Sequence, residues 1–412
     1  MEHYLLIALA SILVLGTAAQ WLAWRLRLPG ILLLLLFGFA AGAGTELVFG
    51  HRFLDPDKLF GGMIYPLVSL FVAVILFEGG LTLNRIELAH VGRVLRNLVT
   101  IGALVTGSLA ALAAHWLVDL PWGIAILLGA VLVVTGPTVS IPLLRQVRPV
   151  GQVNAILKWE GIVIDPIGAM LAVLVFEVIH IQAYENLWNV ALGVVLRTVI
   201  VGLAFGLAGT ALLVVMLRRF WLPDYLQSPI TLALVLAAFV GSNLLQGESG
   251  LFAVTVMGIA LANQRYTPVK HILEFKESLT VLLVSTLFIL LAARMQIAQL
   301  AHLGWGAAAF VAVLILIIRP AAVALSTIGS NLSFRERAFL AWMAPRGIVA
   351  AAVASVFALR LREARVPGAD MLVPHTFAVI IATVSIYGLS AFYAAKRLGL
   401  QKKGKGGFLI AG

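Results

Sequence analysis

Thr135–Gly136–Pro137–Thr138–Val139–Ser140–Ile141–Pro142 is the stretch whose reading decides the fold. It lies inside an apolar run, 122–144, that is long enough to cross a bilayer. Proline lacks a backbone donor and fits poorly inside a helix, so two prolines and a glycine here interrupt the hydrogen-bond ladder. Three hydroxyls crowd the same segment. Freed carbonyls and hydroxyls at membrane depth are tolerated only where they face protein or a water-filled cavity. This describes a discontinuous helix of the kind that offers oxygens to a cation; an ordinary proline kink is the plainer alternative.

Working outward, apolar runs recur along the whole chain, at 4–24, 30–49, 60–83, 95–118, 122–144, 153–179, 188–216, 227–246, 249–264, 278–296, 303–326, 336–359 and 372–395. That is about thirteen helices by the ~20-residue criterion. Hydrophobic residues make up 62% of the 412 and charged ones 11%, against about 25% charged in an average soluble domain. Too little polar surface remains to cover a water-soluble globule, and the chain is far too apolar to be disordered. The fold class is an all-α polytopic membrane protein. The first run follows Glu2 and His3, not a basic segment, and reads as a retained helix. With no cysteine, thiol catalysis and thiolate metal sites are excluded.

Charge between the runs gives orientation. One set of alternate loops carries Arg25, Arg27, Arg85, Arg93, Arg96, Arg145, Arg148, Lys158, Arg218, Arg219, Arg265, Lys270, Lys276, Arg335 and Arg337, followed by a basic tail. The other set carries only Arg52, Lys58, Arg294, Arg360, Arg362 and Arg365. The C-terminus is therefore expected in the cytoplasm and the N-terminus outside. The net charge of +11 reads as this topology signal and not as a nucleic-acid surface. Gln401–Gly407 reads as a basic linker, and 408–412 looks like the start of a missing nucleotide-binding domain; a solvated tail is the alternative.

Ionisable groups inside a span are functional candidates by default. They are Glu78, Glu160, Asp165, Arg197, Arg319 and Arg346. Asp165 is the central one, in Glu160–Gly161–Ile162–Val163–Ile164–Asp165–Pro166. Gly161 and Asp165 share a helix face, so the glycine clears room one turn from the carboxylate. Glu160 points to a different face, which suggests a different partner. A buried arginine needs an acid; Arg319 is the first choice for Glu160, with Arg346 as competitor. Arg197 reads as a snorkelling residue. Glu78, in Phe77–Glu78–Gly79–Gly80–Leu81, reads as a cation ligand, an acid in an access funnel, or a helix-end acid. Ala344–Pro345–Arg346–Gly347 is a second interruption, corresponding to the first if the chain is built of two inverted halves.

These motifs, in this order, resemble the NhaP-like sodium/proton antiporters of the CPA1 branch of monovalent cation–proton antiporters, and the resemblance covers nearly the whole chain. It implies inverted repeats with two crossed discontinuous helices (near 122–144 and 336–359), a transmembrane antiporter domain over 1–400 with interleaved core and dimer parts, and a homodimer in a bacterial inner membrane, with lipid around it. It implies exchange of Na+ and/or K+ for H+, with no cofactor, no enzymatic activity and a role in pH homeostasis. Asp165 becomes the shared cation and proton carboxylate, with Thr135 and Glu78 as further cation ligands and Glu160 as the structural acid. Three positions depart from the family pattern: Ile164 replaces an Asn, Gly161 a Ser, and Gly136 the Asp of a Thr-Asp-Pro motif, which leaves the choice of cation open. Only one mid-span carboxylate, Asp165, lacks an evident permanent partner, so electroneutral one-for-one exchange is expected. A glycine-rich run at 38–44 is expected at the dimer interface. The alternatives are a cation channel, an intramembrane enzyme or a non-transporting sensor. No filter-like repeat supports the channel, and no nucleophile–base or metal set supports the enzyme.

Overall fold

The computed structural model describes residues 2–26, 28–181, 187–267, 270–296 and 303–401. The tail expectations for 402–412 lie outside these. Among the described residues the chain is helical, with one isolated bridge between Pro149 and Gln401. The helices are α1 (Glu2–Leu26), α2 (Gly30–Phe49), α3 (Ile64–Leu81), α4 (Arg85–Val118), α5a and α5b (Trp122–Val131 and Pro137–Val147), and α6 (Val153–Ile181). After these come α7 (Leu187–Arg218), α8 (Asp224–Leu245), α9 (Ser249–Asn263), α10 (Lys270–Ala293), α11 (Gly304–Ser326), α12a and α12b (Phe334–Trp342 and Ile348–Glu363), and α13 (Ala369–Arg397).

Nine of the described helices are long and apolar enough to cross a membrane alone, and three shorter apolar ones, including α5a and α9, accompany them. The protein is a multi-pass membrane protein. The sequence-based number of about thirteen spans exceeds nine by four for a physical reason: α5 and α12 are broken at their centres, so neither half reaches spanning length, and α9 and the apolar part of α10 (Ser278–Ala293) are each shorter than a full span.

Contacts sort the helices into two groups. α1, α2 and α10 pack together, as do α3, α7, α8 and α9, and α3 and α8 touch α10. In the second group α5a packs on α4 and α6, α11 on α4, and α12b on α13. Glycine sets several of these seams. A Cβ on Gly258 of α9 would stand 3.0 Å from the Cα of Gly80 on α3, so the helix axes meet at backbone distance. The glycine run of α2 is used in the same way. Cβ atoms on Gly38 and Gly42 would lie 2.6 and 2.2 Å from the carbonyl oxygens of Ile289 and Ala293 on α10. Of the run expected at a dimer seam, Gly38 and Gly42 pack against α10 of the same chain, while a Cβ on Gly44 would meet only its own helix.

The basic loops gather at one end of the bundle, where the chain is tied down locally. Ser333 and Glu336 form a reciprocal cap at the start of α12a. The Glu336 carboxylate also accepts from the Gln152 amide in the α5b–α6 loop, at 3.2 Å. The Val150 amide of that loop donates to the Leu400 carbonyl at 2.7 Å.

Candidate ion-binding site

α5 stops at Val131 and resumes at Pro137, and α12 stops at Trp342 and resumes at Ile348. The two breaks cross. A Cβ on Gly136 would lie 2.4 Å from the Gly347 Cα, and one on Gly347 would lie 2.4 Å from the Gly136 Cα. Only glycine at both positions permits this approach. A break also leaves carbonyls at the end of the first half and amides at the start of the second, without helical partners.

Two buried arginines satisfy the carbonyl ends. Arg346 donates through Nη1 to the carbonyls of Val133 and Val134, both at 3.2 Å, just past the end of α5a. Arg319 donates through Nε to Leu340 and through Nη2 to Met343, both at 3.1 Å, at the end of α12a. Cations at helix C-termini offset the negative dipole end. Arg319 also grips Glu160 with both nitrogens, Nη1 to Oε1 at 2.5 Å and Nη2 to Oε2 at 2.9 Å. Arg346, expected as the competing partner, makes no ion pair with Glu160 among the described residues. The break exposes carbonyls beside Arg346, which takes up two of them through Nη1, while its buried Nε has no hydrogen-bond partner.

Asp165 is fully buried, and neither carboxylate oxygen has a hydrogen-bond partner. Its orientation follows from its neighbours on α6. A Cβ on Gly161 would stand 3.3 Å from the Thr135 carbonyl oxygen, and one on Gly168 would stand 2.2 Å from the Val134 side chain. Residues 161, 165 and 168 form one helix stripe, so Asp165 faces the break of α5. There the hydroxyls of Thr135 and Thr138 are also buried and without partners. An unpaired buried polar group costs about 1–3 kcal/mol. Such groups gathered around one break offer oxygens that suit a small cation, or a proton on the carboxylate. Ile164, the neighbour that replaces an amide, instead packs with Ala103 and Val133 in an apolar cluster.

A cavity of about 230 Å³ opens toward the basic-loop end, lined by Glu78, Pro137, Thr138, Arg145, Thr280 and neighbours. Glu78 accepts a hydrogen bond from Thr280 of α10. Asp165 is absent from this lining, which Glu78 shares with Thr138. At the opposite end a second cavity, of about 220 Å³, lies between α3 and α12b–α13. Arg294 lines it, held by Asp57 at 2.9 Å and donating to the Tyr65 hydroxyl at 2.8 Å. Arg197 lies exposed on α7, away from both breaks. Of the residues expected at the site, the structure puts the Thr135 carbonyl beside Gly161, one turn from Asp165; the sequence left Thr138 without a role and carried no signal for Thr280.

Residues 9–397 match the family model described as sodium/hydrogen exchanger, transmembrane. A potassium/proton antiporter, NhaP of Alkalimonas amylolytica, is 28% identical over 403 residues, covering 96% of this chain and 67% of that protein. The sodium/proton antiporter 1 of Methanocaldococcus jannaschii is 26% identical over 353 residues, covering 83% of this chain and 80% of that one. The potassium/proton antiporter NhaP2 of Shewanella baltica is matched over 63% of its length. The solved structure of the sodium proton antiporter MjNhaP1 from M. jannaschii superposes with a TM-score of 0.80 at 24% identity, covering 96% of this chain and 99% of that one. With paired breaks crossing beside a buried carboxylate and a family match over nearly its full length, the chain belongs to the sodium/hydrogen exchanger family.

Proposed function

We propose that the protein is a secondary antiporter that exchanges a monovalent cation, Na+ or K+, for H+, with Asp165 carrying either the cation or the proton. The observation that carries this is the pair of unpartnered, buried Asp165 oxygens on a helix that packs on the break of α5, whose Thr135 and Thr138 hydroxyls are also unpartnered. A carboxylate that is buried without a permanent partner must be neutralised by something that comes and goes. Thr135 supplies oxygen to the cation, Glu78 attracts it into the approach cavity, and the Glu160–Arg319 pair holds the crossing together. We assign the α4–α6 and α11–α13 group as the moving core and the remaining helices as the scaffold, both within an antiporter domain over 1–400. The scaffold dimerises; a particle mass in mild detergent tests this. The basic loops face the cytoplasm of a bacterial inner membrane, with the N-terminus outside.

The test is proton flux in reconstituted liposomes across a series of monovalent chlorides. We expect sodium or potassium gradients to drive proton movement. Asp165→Asn, nearly isosteric but unable to carry a charge or a proton, is expected to abolish it while the protein stays folded. Wild-type flux in that variant would reject the site.

A further inference from the structure

We infer that Thr138 is a cation ligand and the residue that tunes selectivity between sodium and potassium. The inference rests on the exchange reading above and deepens it, since no assignment so far gives Thr138 a role.

Three observations place it there. Its hydroxyl is buried, at 5% residue exposure, and has no hydrogen-bond partner. It lines the cavity that opens to the basic-loop end, together with Glu78. Its Oγ1 stands at the helix crossing, 3.4 and 3.3 Å from the positions that a Cβ on Gly136 or Gly347 would take. Thr138 is thus the side chain that belongs both to the approach cavity and to the crossing.

The missing partner has a local cause. Threonines inside helices of this chain, such as Thr210, Thr255 and Thr376, donate to the carbonyl four residues back. For Thr138 that residue is Val134, which lies outside α5b and whose carbonyl accepts from Arg346. The break that exposes backbone oxygens for Arg346 also denies Thr138 its usual acceptor. Its lone pairs and its proton are left uncommitted at the edge of the break. A hydroxyl so placed replaces one water in the shell of a cation moving from Glu78 to Asp165. With glycine at 136 and 161 and isoleucine at 164, none of these three neighbours brings a side-chain oxygen. The ion that is dearest to dehydrate, sodium, depends most on each remaining oxygen.

The experiment measures KM and maximal rate for Na+ and for K+ in proteoliposomes of wild type, Thr138→Val, Thr138→Ser and Asp165→Asn. Valine keeps the branched shape and removes the oxygen. We expect Thr138→Val to raise KM for Na+ about tenfold, the equivalent of one modest contact, and KM for K+ by less than about threefold. The maximal rate should stay near wild type, and Thr138→Ser should restore the sodium KM. A merely structural threonine would lower rates for both ions without moving the ratio of their KM values, and that outcome overturns the inference. So does an unchanged sodium KM in Thr138→Val. Should valine prevent membrane insertion, Thr138→Ala is read by the same criteria. Asp165→Asn separates the two levels: wild-type flux in it rejects Asp165 as the shared site on which this inference rests; if it is dead while Thr138→Val matches wild type, only the ligand role of Thr138 fails.

Discussion

Arg319 does two things with one guanidinium. Two of its nitrogens hold Glu160, and it also closes the carbonyls of Leu340 and Met343. Both residues are buried, at 4% and 3% exposure, where the pairing must offset a large desolvation cost. Removing one partner of such a pair leaves an uncompensated charge and costs about 3–5 kcal/mol. Glu160→Gln keeps an acceptor for Arg319 and is expected to be the milder single change. Arg319→Leu strands a buried carboxylate together with two carbonyls and is expected to be the worse. The double variant should recover part of the thermal stability lost by Arg319→Leu, but not all, because the carbonyls stay open. Melting in detergent checks this; a double variant that loses the sum of both single effects would contradict the coupling.

At the scale of the element, a broken helix is stable only if every end the break creates is covered. In α5 and α12 the carbonyl ends are covered by Arg346 and Arg319, and the crossing closes through Gly136 against Gly347. Elements α4 and α11 each widen into a π turn, at Leu98–Gly102 and Leu314–Ile318, and the first packs on the 319–326 segment that carries Arg319. The crossing has no slack. Gly347→Ala is expected to push the breaks apart, abolish exchange and destabilise the protein by roughly 1–3 kcal/mol, the scale of overpacking. Gly62→Ala, where an added Cβ meets nothing within 4 Å, is expected to leave both properties unchanged. Thermal melts and flux on the two variants decide the matter; a functional Gly347→Ala would mean that the breaks do not need this contact.

Across the whole molecule, two cavities enter from opposite ends of the bundle, each between the first helix group and the second. The one at the basic-loop end reaches Pro137 and Thr138; the other is bounded by the Arg294–Asp57–Tyr65 cluster. Rocking one group against the other would open them in turn. The formal charges of the core site then fix the electrical outcome. Glu160 is held by Arg319, and Asp165 binds one proton or one monovalent cation at a time, so the loaded site carries the same net charge with either. The strokes in the two directions cancel, and exchange is expected to be electroneutral. A membrane potential, worth ~2.3 kcal/mol per charge per 100 mV, should not drive net turnover. Because both species compete for one carboxylate, apparent cation affinity should fall as pH drops. Sodium flux in liposomes clamped with valinomycin at either sign of potential tests this; sustained charge movement would show that a second group, Glu78 foremost, titrates in the cycle.

How much of this the sequence carried depends on how local the cause was. The membrane class, the basic-loop asymmetry and the two breaks follow from composition and from prolines and glycines, whose effects act within a few residues. The choice of Asp165 follows from its depth in one span, and the Gly161 face from helical periodicity alone. Other points depended on where distant segments meet. The sequence could rank Arg319 above Arg346 for Glu160, yet only the fold put Arg346 on the α5a carbonyls, since those lie more than two hundred residues away. The glycine run of α2 looked the same whether its partner was another chain or α10, because a glycine seam carries no mark of what fills it. Thr138 was visible as a hydroxyl in a broken helix, but its lack of a partner is a property of the crossing. A side chain's identity is written locally, whereas its unmet hydrogen bond exists only once the tertiary structure has decided which acceptors are already taken.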